Sequence, residues 1–121
     1  MKILIVDDDP LVLESCRRIL AAPPYTVHLT SGADQALDVL ARMPGLDLVI
    51  TDIKMPGKDG IFLARQIQEL YPDLPVLIMT GYLMDEVRQM EQPGKRLWFL
   101  AKPFTPAELA AGVTKALGPT P

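Results

Sequence analysis

Five apolar runs of strand length, separated by stretches of helical period, constrain this chain more than any other feature of its sequence. The runs are Lys2–Val6, Tyr25–Leu29, Leu46–Thr51, Leu74–Met79 and Arg96–Ala101. Alternation of this kind predicts a parallel sheet with helices packed on its faces. Four of the runs are nearly continuous in Ile, Leu, Val, Met or aromatic residues, the composition of strands covered on both sides. Tyr25–Leu29 mixes polar and apolar residues and is expected at an edge. Right-handed crossovers between such strands predict an α/β fold, a three-layer α/β/α sandwich of five strands and five helices.

The helices carry their own start signals. Asp9-Pro10 supplies an N-cap followed by proline at the first helical position. Ser31 with Asp34 predicts a capping box that uses the shorter acid, and Thr105-Pro106-Ala107-Glu108 predicts a full one. Tyr82–Glu91 is expected to form a short helix ended by Pro93-Gly94. The length of 121 residues suits one domain, expected over residues 1–117, with 118–121 as a tail or the start of a linker.

Charge and hydropathy exclude several functions. With 15 acidic and 12 basic residues the net charge is −3, which repels a phosphate backbone, so nucleic-acid binding by this segment is not expected. The apolar runs are too short to span a bilayer or to act as a signal peptide, and a cytoplasmic location is the expectation. The single cysteine, Cys16, falls on the apolar side of its helix and is expected to be a small buried hydrophobe.

The polar residues that matter all stand at strand ends. Asp7 and Asp8 follow the first strand, Asp52 ends the third, Thr80 the fourth and Lys102 the fifth. Open parallel sheets bind ligands beyond the carboxyl ends of their strands, where strand order reverses. If the first and third strands are neighbours there, three carboxylates converge and require a compensating cation. Hard oxygen ligands beside an open crevice suit Mg²⁺. A carboxylate is also a nucleophile towards phosphorus. Phosphoryl transfer needs its oxygens neutralised more than it needs acid–base chemistry. The metal, the ammonium of Lys102 and the hydroxyl of Thr80 meet that need without a histidine, and His28 lies on the edge strand.

Four strings, Ile3-Leu4-Ile5-Val6-Asp7-Asp8-Asp9, Thr51-Asp52-Ile53-Lys54-Met55-Pro56-Gly57-Lys58-Asp59-Gly60, Met79-Thr80-Gly81-Tyr82 and Lys102-Pro103-Phe104, together resemble the response-regulator receiver family of two-component signalling. The resemblance covers essentially the whole chain and implies strand order 2-1-3-4-5. It implies that Asp52 is the phosphoacceptor and that Asp7, Asp8, Asp52 and the backbone carbonyl of Lys54 hold Mg²⁺, or Mn²⁺ in its place. Lys102 would pair with the phosphoryl group, and Lys102-Pro103 would be a cis peptide. Thr80 and Phe99 look like the family's switch pair, while Lys54 and Tyr82 look like the rim that tunes phosphoryl lifetime.

The same likeness implies a sensor histidine kinase or phosphotransfer protein as donor and a downstream effector domain or partner as output. It also implies dimer or partner contact on the face made by the fourth helix, fifth strand and fifth helix. There the sequence departs from the family pattern, reading Pro93-Gly94-Lys95-Arg96-Leu97-Trp98-Phe99. In a strand the adjacent rings of Trp98 and Phe99 face opposite sides. The leading expectation is therefore a phosphorylation-dependent signalling switch that is not a metabolic enzyme. The alternatives are a pseudo-receiver that only binds proteins, and a flavodoxin-like ligand binder or hydrolase. The latter is disfavoured by the lack of a glycine-rich phosphate loop.

Overall fold

A computed structural model describes residues 1–21, 24–81 and 96–118. The helix expected over 82–91, the rim residue Tyr82 and the tail beyond Gly118 lie outside the described residues. Within them the order is β1 (Lys2–Val6), α1 (Pro10–Ile19), β2 (Thr26–Thr30), α2 (Ala33–Arg42), β3 (Leu48–Asp52), α3 (Gly60–Leu70), β4 (Val76–Thr80), β5 (Leu97–Ala101) and α4 (Pro106–Leu117). The five strands form one parallel sheet in the order β2-β1-β3-β4-β5.

Side-chain alternation along the strands divides the interior into two cores. Leu4, Val6, Val49, Val76 and Ile78 meet Ala36, Leu40, Leu63 and Ile67 of α2 and α3. Ile3, Ile5, Ile50, Leu77 and Met79 meet Cys16 of α1 and Leu109, Val113 and Ala116 of α4 on the other side. All five residues of β4 are buried, as are the first four of β3, and apart from Thr80 and Thr51 these residues are apolar. β2 is an edge strand, as its mixed composition predicts, and His28 lies on it.

Two of the three expected caps form. The Asp9 side chain accepts the N–H of Leu11 at 2.9 Å ahead of Pro10. Thr105 and Glu108 satisfy each other's backbone N–H groups, at 3.1 and 2.9 Å. The Ser31–Asp34 box does not form. The helix begins at Ala33, so Gly32 is the N-cap and makes no side-chain cap bond. Asp34, now in the first turn, pairs instead with Lys58 at 3.1 Å.

Four strands also start later than their apolar runs suggest: β2 by one residue, β3 and β4 by two, and β5 by one. Asp47 joins Lys2 twice, its N–H donating to the Lys2 carbonyl and its carboxylate accepting the Lys2 N–H, both at 2.8 Å, and the register of β3 with β1 starts at Leu48. At the other end, Asp52 and Thr80 are the last paired residues of β3 and β4. No helix among the described residues is long and apolar enough to cross a membrane.

Candidate functional site

β1 and β3 lie side by side with Val6 level with Thr51, so the residues that follow them, Asp7 and Asp52, emerge together. Asp8 joins them, and the three carboxylates each bring an oxygen within 4.8 Å of the others. Their environments differ. Asp7 is only 1% exposed, Asp52 is partly buried and Asp8 is open to solvent.

Lys102, just past β5, reaches across the end of the sheet. Its Nζ stands 3.2 Å from Asp52 Oδ1 and 3.4 Å from Asp7 Oδ2. The Lys102 backbone is held by its own N–H, which donates to the carbonyl of Thr80 at 2.7 Å, and Lys102-Pro103 is cis. Asp7 is anchored on both oxygens, since its Oδ1 also accepts the N–H of Asp9 at 2.9 Å. Asp52 Oδ1 takes a further N–H from Ile53 at 2.9 Å.

The Lys102 ammonium is shared by two of the three carboxylates, and the crowding of charge shifts both signs. Burial pushes the Asp7 carboxyl above its ordinary value; the Asp9 N–H pulls the other way, and repulsion from Asp52 adds to the rise. Burial alone would lower the Lys102 ammonium, yet attraction to Asp52 and Asp7 overrides it and raises the group. The donor set is all oxygen, partly open to solvent and negative in excess of its lysine, which is the chemistry that a hard divalent cation fits.

The remaining expected residues are placed as follows. Thr80 is 3% exposed at the end of β4, paired with Ala101. Phe99 stands two residues before Ala101, so Thr80 and Phe99 share the sheet face that packs on α2 and α3. Trp98 turns to the opposite core, beside α1 and α4. Lys54 is exposed and lines an open cleft with Asp8, Met55 and Asp59. Cys16 is fully buried, and burial pushes its thiol up to about 11.

Gly60 is a site residue whose role is hidden in the sequence. Its N–H donates to the Ile53 carbonyl at 2.8 Å, and a Cβ added there would lie 2.0 Å from the carbonyl oxygen of Asp52. Only glycine lets the first turn of α3 close against the end of β3. The detectable signal is a glycine at a first helical position behind an aspartate cap, where the Asp59 carboxylate accepts Phe62 N–H at 2.8 Å.

The sequence matches the response regulator receiver domain family over residues 3–114. The chain belongs to that family. It is 36% identical to the response regulator MprA of Mycobacterium leprae over 117 residues, which is 97% of this chain and 51% of that protein. The receiver domain thus spans about half the length of the MprA relatives it matches. Among solved structures it resembles a response regulator receiver domain protein from Clostridium thermocellum, with a TM-score of 0.86 and 29% identity over 96% of this chain and 93% of that one. It also resembles the response regulator TrrA of Thermotoga maritima in complex with Mg²⁺ and BeF, with a TM-score of 0.82 and 28% identity over 95% of this chain and 97% of that one.

Proposed function

We propose that this receiver domain is a phosphorylation-dependent switch whose acceptor is Asp52. The observation that carries the reading is the ammonium of Lys102 held between Asp52 and Asp7 at a rim where three carboxylates meet. An oxygen of Asp52 attacks the phosphorus of a phosphohistidine on a sensor kinase or phosphotransfer protein. The O–P bond forms as the N–P bond breaks, and the imidazole departs with the electron pair. Phosphorylation makes a mixed anhydride at the end of β3.

The side chains of Asp7, Asp8 and Asp52 and the carbonyl of Lys54 would hold Mg²⁺, with Mn²⁺ as a substitute. When bound it supplies positive charge to the transferring phosphoryl oxygens. Lys102 needs only to shift from the carboxylate of Asp52 to the phosphoryl group attached there. Asp7 stays behind as its second partner and keeps the ammonium in place. The Thr80 hydroxyl, at the neighbouring strand end, donates to another phosphoryl oxygen. Moving Thr80 frees space on the face it shares with Phe99, whose ring follows. That movement alters the surface of β5 and α4, where an effector or a second receiver reads it.

Incubation with Mg²⁺ and acetyl phosphate, followed by intact mass, tests the proposal. A gain of one phosphoryl group that vanishes in Asp52→Asn and on chelation is expected. No gain at any Mg²⁺ concentration would leave the fold as a phosphorylation-independent binding module.

A further inference from the structure

β2 is one of the two edges of the sheet, and its outer side offers hydrogen bonds. Thr26 N–H donates inward to the Met1 carbonyl at 2.7 Å, and the Thr30 carbonyl accepts inward from Asp7 N–H at 3.2 Å. Alternation along the strand therefore turns the N–H and C=O of Val27 and Leu29 outward. Among the described residues these outward groups have no backbone partner.

Sheet edges are ordinarily guarded by lysine, proline or a bulge. This one holds Thr-Val-His-Leu-Thr, without charge or proline, and no charged residue occurs between Arg18 and Asp34. The strand also reads nearly alike in both directions about His28: threonine, branched aliphatic, histidine, branched aliphatic, threonine. That symmetry points to a copy of itself as the occupant, because an unrelated strand would not require it.

We infer that β2 pairs antiparallel with β2 of a second copy of this chain, about a two-fold axis through His28, joining two sheets into one. Val27 then faces Leu29 of the second copy, and each such pair exchanges two N–H···O=C bonds. Thr26 faces Thr30, and His28 faces His28, at the closer non-hydrogen-bonded positions. Cross-strand threonine and aliphatic pairs favour such a register. His28 Nε2 and Thr30 Oγ1 are buried without a hydrogen-bond partner among the described residues. They lie on the strand face to which the second copy brings its Thr26 hydroxyl and His28 ring.

Sedimentation equilibrium of the whole chain, from micromolar to millimolar concentration, should show reversible dimers. Val27→Pro deletes an N–H that points away from β1, a substitution that an edge strand tolerates. It removes one bond from each symmetric pair. Association should weaken by roughly twenty- to thirty-fold, while the circular dichroism spectrum stays unchanged. A second test reads the register without relying on that variant. Thr26→Cys chains mixed with Thr30→Cys chains should form a disulfide faster than either chain alone, since each position meets only the other across the axis. Buried Cys16 would not compete. A chain that stays monomeric throughout would overturn the inference. So would dimers that ignore Val27→Pro and cross-link without preference, the result expected if the β5 side were the interface.

Discussion

Gly60→Ala separates two physical effects that predict opposite signs. Helix propensity alone favours alanine at an interior position by up to about 1 kcal/mol. The structure places the new Cβ 2.0 Å from the Asp52 carbonyl oxygen, 2.8 Å from its carbonyl carbon and 3.0 Å from the Ile53 Cα. All three atoms are backbone, so no side chain can rotate aside. The first turn of α3 must back away by about 1.4 Å to regain ordinary contact, and the bond from Gly60 N–H to Ile53 at 2.8 Å is stretched or lost. Overpacking costs roughly 1–3 kcal/mol and the hydrogen bond about 1 kcal/mol. After the propensity gain, a net loss of about 1–3 kcal/mol remains, a sizeable share of a marginal fold. Urea unfolding followed through the single tryptophan, Trp98, measures it. A lower midpoint with an unchanged slope is expected. A variant as stable as the parent, or more so, would refute the close-approach argument.

Three further outcomes follow from the same geometry. Asp7 has a raised carboxyl in the fold, so its ionisation disfavours folding: stability falls as pH rises from the ordinary 3.8 through the raised value. Asp7→Asn should therefore raise the melting temperature at pH 7 while weakening Mg²⁺ binding; thermal melts with and without Mg²⁺ check both. Thr105→Ala removes the capping box of α4 and should cost about 1 kcal/mol in urea unfolding. Cys16, with its thiol pushed up to about 11 by burial, should resist alkylation at pH 8 in the folded protein and react at once in urea, as read by mass.

The sheet could be read in advance because its strands are buried on both faces. Ile3–Val6 and Val76–Met79 have no polar residue to disguise them. β2 was identifiable as an edge for the opposite reason, its polar residues. What escaped was set by contacts distant in sequence. Asp47 meets Lys2 where β3 begins, and Asp34, placed in the first turn of α2 with Gly32 as the cap, pairs with Lys58. The acid cluster could be anticipated because strand ends in a parallel sheet share one rim. The need for glycine at position 60 could not, since nothing local shows that Asp52 lies beneath it.

The proposed switch requires a mixed anhydride on Asp52 and on no other acid of the cluster. Borohydride reduction of the phosphorylated protein, followed by peptide mass mapping, tests this directly, because reduction converts an aspartyl phosphate to homoserine. Homoserine is expected at position 52 alone, dependent on Mg²⁺ and on Lys102. Homoserine at position 7 or 8, or no reduced residue in a protein that carries the phosphoryl mass, would contradict it.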